Sequence, residues 1–242
     1  MKTFTDKYEK FVVTNSCNNE CFFCKNDSVP IDTNSNYEVV LSKVQRLSAK
    51  SILLTGGDAY LSKNFIELVS LLFGLKKDIA IESNGRFLSN SSQVDFLKEK
   101  INHIRVSLHG NKKSLNTYLT NIEESFFETV NGIKLAQENG IVVYLQTLVN
   151  RSNFRNLSGI VKFVEKYKIK KWFLQYPQEM GRLQSIQYET FLPPTELVIV
   201  YLKKLVRQLD GSKCELIFQN FPSEIMKKIG PSDNISVYYI EQ

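Results

Sequence analysis

Short apolar runs alternate with amphipathic stretches along most of the chain. The run Lys10 to Thr14 (KFVVT) predicts a strand, followed by a polar loop that carries three cysteines. A helix is predicted from Tyr37 to Ala49, a strand at Ser51 to Thr55 (SILLT), and a helix capped by Asn64 with Glu67 in the capping-box position. Further strands are predicted at Asp78 to Glu82, His103 to His109, Ile141 to Val149 and Lys171 to Tyr176. Between them fall helices at Val94 to Lys100 and Asn156 to Tyr167. A third helix opens on a Ser125 and Glu128 capping box, turns Phe126, Val130 and Ile133 to one face, and ends at Asn139-Gly140. Lys112 and Lys113 fall in a loop. Pro193-Pro194 introduces a helix over Thr195 to Leu209 with Leu197, Tyr201 and Leu205 as its core stripe, and the tail holds two strand-like runs, CELIF and SVYYI.

Strand-then-helix units in succession imply a parallel sheet with right-handed crossovers, in a partial or full β/α barrel or an open doubly wound sheet. In either case the loops after the strands' C-terminal ends gather at one mouth, where chemistry should be sought. At 242 residues one continuous core is the simpler arrangement. The organisation expected is a core over residues 1–182 and a short α/β extension over 183–242 packed on it.

Composition refines this only slightly. A chain 43% hydrophobic and 23% charged is neither disordered nor collagen-like, and no apolar run reaches the length of about 18 residues that a membrane span needs. The polar start, Met1 to Lys10, lacks the apolar segment of a secretory signal, so a cytoplasmic location is expected. The net charge of +6 favours acidic partners mildly, and nucleic acid is not an expected one. In a reducing compartment, four cysteines argue for metal binding or catalysis over disulfides.

The first strand runs into Cys17-Asn18-Asn19-Glu20-Cys21-Phe22-Phe23-Cys24, a CxxxCxxC spacing. Three thiolates this close can wrap one centre. Zinc would need Cys214, His103 or His109 as a fourth donor, whereas an iron-sulfur cube would keep one iron open for another ligand. A stray cluster of thiols is the plain alternative. The next strands end in Leu54-Thr55-Gly56-Gly57-Asp58, Glu82-Ser83-Asn84-Gly85 and Ser107-Leu108-His109-Gly110. Gln146, Thr147, Gln175 and Tyr176 should face the same mouth, and His103 reads as structural. Taken singly, each of these reads first as a tight turn or a core hydrogen bond.

In order on successive strands, CNNECFFC, LTGGD, ESNG and VSLHG resemble the radical S-adenosylmethionine (radical SAM) enzymes, from about Phe11 to Gly181. CxxxCxxC with an aromatic before its third cysteine resembles that superfamily's cluster motif, and GGD resembles its GGE motif. The stretches Ser107 to Gln137 and Asn150 to Asn156 (NRSNFRN) resemble members that modify peptides or small metabolites. The resemblance implies a partial (β/α)6 TIM-like barrel in which Cys17, Cys21 and Cys24 hold a [4Fe-4S] cluster and SAM chelates the remaining iron. It implies an enzyme that reductively cleaves SAM to a 5′-deoxyadenosyl radical, which takes hydrogen from a peptide or small-molecule substrate. Gly56, Gly57 and Asp58 would meet the methionine ammonium, with Ser83, Asn84 and Ser107 nearer the ribose. Phe23 would cover the cluster or pack toward adenine, with His109 and Gln146 near SAM or substrate.

The sequence departs from the family in three ways. Asp58 stands where Glu is usual. Thr117-Tyr118-Leu119-Thr120 holds no arginine for the SAM carboxylate, which leaves Lys112, Lys113 and Arg155 as candidates. Cys214 alone cannot hold an auxiliary cluster. The electron is therefore expected from an external flavodoxin- or ferredoxin-type donor, with Lys25 the basic residue nearest the cluster loop in sequence. The rival expectations are a glycyl-radical-enzyme activase and, from another class, a zinc-binding or degenerate non-catalytic interaction module.

Overall fold

Runs such as Ile52-Leu53-Leu54 carry apolar side chains toward both faces of a strand, so they need cover on both, which a parallel sheet wrapped by helices supplies. The computed structural model describes residues 2–30, 37–46, 48–184 and 186–238. Its strands are β1 (Lys2–Thr3), β2 (Glu9–Thr14), β3 (Ser51–Gly56), β4 (Asp78–Ser83), β5 (His103–Ser107), β6 (Val143–Leu148), β7 (Lys171–Gln175), β8 (Glu215–Gln219) and β9 (Ile235–Tyr238). They form one sheet in the order β1-β9-β8-β7-β6-β5-β4-β3-β2, parallel at every step. The helices are α1 (Tyr37–Arg46), α2 (Phe65–Gly74), α3 (Ser91–Leu97), α4 (Lys113–Thr120), α5 (Ser125–Glu138), α6 (Leu157–Lys166), α7 (Ile186–Phe191), α8 (Thr195–Gln208) and α9 (Ser223–Ile229). The result is an open, partial β/α barrel. Among the described residues no helix is long and apolar enough to cross a membrane.

The six expected strands are present, and the tail adds two more in the same sheet; Tyr239 and Ile240 of the SVYYI run lie outside the described residues. Leu47, inside the first expected helix, also lies outside them, and α1 ends at Arg46. Lys113 opens α4 where a loop was expected. The two capping boxes are not formed: Asn64 bonds the Glu67 side chain (2.7 Å), and the Ser125 hydroxyl donates to Ile122 O (2.8 Å). Glu128 turns instead to Arg86 (2.5 Å).

The buried face of α5 is also not the expected one. Phe126 and Val130 are half-buried, while the small residues Ser125, Thr129, Gly132 and Ala136 are buried together with Ile133. A Cβ on Gly132 would stand 2.4 Å from Gly85 O, so the small residues let α5 press on the loop after β4. On α8 the buried residues are Val198, Ile199, Leu202 and Leu205, and Leu197 is exposed.

The floor of the barrel is closed by the N-terminal segment. It runs from β1, paired with β9, to β2 at the opposite edge of the sheet. Along it Phe4 meets Phe173 edge-on (5.5 Å), Asp6 ion-pairs with Arg105 (2.7 Å), and Tyr8 meets His103 edge-on (4.9 Å). Arg105 also reaches Glu82 (3.7 Å), which Lys10 approaches at 3.3 Å. His103 accepts from Arg105 Nε (3.3 Å), and burial together with that guanidinium lowers its pKa to about 3, a neutral structural histidine as expected.

Candidate functional site

The loop after β2 turns back across the strand ends and is held there by backbone. Gly57 N–H donates to Thr14 O (2.8 Å) and Asp58 N–H to Ser16 O (2.7 Å). A Cβ on Gly56 would lie 2.1 Å from Thr14 O and one on Gly57 2.3 Å from Ser16 O. The glycine pair therefore admits the chain's own cysteine-bearing segment. Cys17, Cys21 and Cys24 all line one cavity at the barrel mouth. Cys17 Sγ accepts from Asn19 N–H (3.4 Å), and Cys24 Sγ accepts from Ser28 N–H (3.5 Å).

Two arginines that sequence reasoning missed grip this loop. Arg86, just after the ESNG turn, donates to Asn18 O and to Asn19 Oδ1 (3.0 Å). Arg182 donates to Cys21 O (3.0 Å), Ser28 O and Asp27 Oδ1 (3.0 Å). Their partners are mostly main-chain carbonyls far away in sequence, so no local pattern announces them.

Of the expected site residues, Phe23, Gly57, Asn84, Ser107, His109 and Gln146 line the cavity with the cysteines. Gly56, Asp58 and Ser83 stand behind its wall. Asp58, 2% exposed, accepts from Ser83 Oγ (2.8 Å), Asn84 N–H (3.0 Å) and Tyr60 N–H (3.3 Å). Burial outweighs these bonds and raises its pKa to about 6. Asn84, held in this way, reaches Asn18 Oδ1 (2.6 Å) and lies 3.9 Å from Cys17 Sγ. Phe23 packs among His109 (5.0 Å), Phe22 (5.5 Å) and Phe191 (5.5 Å). His109 accepts Leu148 N–H at Nδ1 (3.3 Å), and burial lowers its pKa to about 4, so the neutral ring keeps its proton on Nε2.

The ends of β6, β7 and β8 supply the far wall: Gln146, Gln175, Tyr176, Gln178 and Asn220. Gln175 donates to Gln219 Oε1 (2.7 Å). Thr147 is not at the mouth but in the core, donating to Leu108 O (2.6 Å) and accepting from Trp172 Nε1 (2.9 Å). Lys113 pairs with Glu123 (2.5 Å) and Arg155 stacks on Phe154 (4.3 Å); neither they nor Lys112 line the cavity. Lys25 does line it, with Lys10 and Glu82 as charged neighbours, so its ammonium belongs to the cavity's field.

The donor set fits an iron-sulfur cluster better than a single ion. Among the described residues no three His, Cys, Asp or Glu side chains converge as a mononuclear site would require. Of the fourth zinc donors considered, Cys214 is buried beside β8 and His103 lies under the floor, while His109 lines the cavity with its Nδ1 already accepting from Leu148 N–H. Burial pushes the Cys17 thiol up to about 11 and the Cys21 thiol to about 12.

Residues 11–164 match the family model of the Radical SAM superfamily. A probable GTP 3′,8-cyclase of Saccharolobus solfataricus is 25% identical over 211 residues, which are 82% of this chain and 67% of that protein. The GTP 3′,8-cyclase of Synechocystis is 25% identical over 81% of this chain and 64% of its own length. A probable GTP 3′,8-cyclase of Saccharolobus islandicus is 30% identical over 64% of this chain and 51% of its own. The chain thus spans about half to two-thirds of these curated relatives. Among solved structures, Streptococcus suis SuiB bound to S-adenosylmethionine superposes with a TM-score of 0.68 at 16% identity, over 90% of this chain and 52% of that one. anSMEcpe with bound AdoMet and a Cp18Cys peptide gives 0.61 at 19% identity, over 82% and 58%.

Proposed function

Because this chain belongs to the radical SAM superfamily and is an enzyme of that family's cluster and SAM chemistry, we propose that it takes hydrogen from a peptide or small-metabolite substrate without a polyphosphate. The observation that carries this reading is the makeup of the cavity wall. Apart from Lys25 and the neutral His109, its polar lining beyond the cysteines is carboxamide and hydroxyl, as in Gln146, Gln175, Gln178, Asn220, Ser107 and Tyr176. Among the described lining residues Lys25 is the one cation, and there is no carboxylate. A triphosphate brings several negative charges that need several cations, whereas amides pair with amides.

In this reading Cys17, Cys21 and Cys24 are the cluster ligands. When bound, the cluster and SAM supply the electron and the 5′-deoxyadenosyl group that make hydrogen abstraction from an unactivated carbon feasible. The strand-end backbone at Gly57 and the Asn84 side chain border the methionine portion, with Asp58 holding them from behind. Ser107, Gln146 and the neutral His109 orient the ribose or substrate, and Phe23 excludes water from the cluster side. A flavodoxin- or ferredoxin-type donor supplies the electron from outside.

The names of the curated relatives raise a second reading, cyclisation of GTP. One assay separates the two. Anaerobically reconstituted protein with SAM and dithionite is given perdeuterated peptide and metabolite pools or GTP, and 5′-deoxyadenosine is analysed for deuterium. Label transferred from a pool, with no cyclised nucleotide from GTP, is the expected outcome. A cyclised GTP product would overturn the first reading in favour of the second.

A further inference from the structure

We infer that the turn Met180 to Leu183, which follows β7 and lies outside the segment the family model matches, fixes the cluster loop, with Arg182 as its positioning residue. The inference rests on Cys17, Cys21 and Cys24 being the cluster ligands. β2 is the edge strand of the sheet and β7 stands five places away, yet the chain after β7 returns across the open mouth to the loop after β2.

The contact is built from both partners. Arg182 N–H donates to Cys24 O (3.0 Å) and Arg182 Nη1 to Cys21 O (3.0 Å), so one residue holds the main chain of two of the three cysteines. The same guanidinium spans Ser28 O and Asp27 Oδ1 (3.0 Å), which closes the loop behind Cys24. Gly181 has φ +59°, and a Cβ there would stand 2.2 Å from Cys24 O, so the turn can come this close only with glycine at that position. Leu183 anchors the turn in the cluster of Phe23, Leu119 and Phe191. Arg86 grips the same loop at Asn18 O and Asn19 Oδ1, neither of which belongs to a cysteine.

Two effects follow. A forked guanidinium holds two carbonyls and a carboxylate in fixed relation, which an ammonium cannot reproduce. A positive charge beside the ligand carbonyls also favours the more negative, reduced state of a bound cluster.

The test compares the native protein with Arg182→Gln and Arg182→Lys. In the metal-free protein, iodoacetamide alkylation is followed at each cysteine by mass spectrometry. In the reconstituted protein, the reduced fraction at one fixed potential is read by electron paramagnetic resonance. Arg182→Gln should alkylate at Cys24 at least threefold faster, with the rate at the core residue Cys214 unchanged, and its reduced fraction should fall at least threefold. Arg182→Lys should recover the reduced fraction but keep the fast alkylation. Asp27→Asn, which removes one exposed partner of Arg182, should give the same order of cysteine rates at smaller size. Unchanged rates and reduced fraction in Arg182→Gln overturn the inference, and so does a parallel rise at Cys214, which would mean that the whole fold has loosened. If the native protein takes up no iron and sulfide, the ligand assignment fails instead, and the alkylation rates still report on the clamp.

Discussion

A buried thiol must lose its proton before it binds iron, and burial opposes that loss. With pKa values of about 11 for Cys17 and about 12 for Cys21, both are neutral at pH 7, so loading the loop expels both protons. The raised pKa keeps the protonated, non-binding form to higher pH, so acid opposes loading and alkali favours it, by about tenfold per proton per pH unit until pH approaches 11. In the metal-free protein, iodoacetamide alkylation at Cys17 and Cys21 should therefore keep rising about tenfold per pH unit from pH 7 to pH 10, beyond the point where an ordinary thiol levels off; a plateau near pH 9 would contradict the burial of these thiols. Alanine at Cys17, Cys21 or Cys24 should each abolish cluster binding and SAM cleavage, while Cys214→Ala leaves both intact, because Cys214 is buried beside β8 away from the loop. Retention of a full cluster by Cys21→Ala would contradict the ligand set. The three cysteines were legible as candidate ligands because their spacing is what such a cluster needs, and the structure sets all three on one cavity wall. The direction a carboxylate faces is not legible, and Asp58 turns away from the cavity to hold Ser83 and Asn84. Asp58→Ala should therefore lower stability by about 1–3 kcal/mol even without SAM, by leaving two buried donors unpaired. An unchanged thermal midpoint of the metal-free protein would return Asp58 to a purely ligand-binding role.

At the scale of elements, strands were easier to find than helices. Runs like SILLT announce themselves because both faces of the sheet are buried. α4 was missed because its buried residues are Asn116, Leu119 and Thr120, which make no apolar stripe, and α7 is a short helix of under two turns over Ile186–Phe191. α5 shows how an apolar pattern misleads: its largest side chains are half-buried or exposed, and its closest packing is made by residues with almost no side chain. Its contact with the loop after β4 also bears on the proposed SAM site, because Thr129 Oγ1 donates to Asn84 O (2.9 Å) beside Gly85. Gly132→Val should consequently cost about 1–3 kcal/mol from overpacking, despite the better helix propensity of valine, and should weaken SAM binding as Asn84 shifts. Chemical denaturation together with SAM titration tests both halves. A stabilised variant would show that the loop after β4 yields freely.

Across the whole molecule, the core sheet and its mouth were readable from sequence, but its completion to nine strands was not, since β1 is only Lys2–Thr3 and its partner lies at the other end of the chain. The strap after β1 carries Asp6, buried against Arg105 with each side chain 3% exposed. Removing Asp6 takes the closer partner from Arg105 and leaves it Glu82 at 3.7 Å, so Asp6→Ala should cost about 1–3 kcal/mol. Replacing both, as Asp6→Leu with Arg105→Met, should cost clearly less. Urea midpoints of the two variants decide the matter, and equal losses would mean that the pair is not coupled.

The pairing of Lys2 with Ser236 also sets an order of events in time. During synthesis β1 has no partner until β9 has left the ribosome, so Lys2 and Thr3 must wait, unpaired, while the mouth and its cysteine loop can already form once β2 to β7 and the turn after β7 are out. Closing so long a loop is slow in search but cheap in added entropy, since each doubling of length costs only about 0.6 kcal/mol. The floor of the barrel is thus the last part to set. A nascent chain arrested before β9 should present a formed loop above an unsealed base, open to chaperones and proteases along its N-terminal segment and the bare edge of β8.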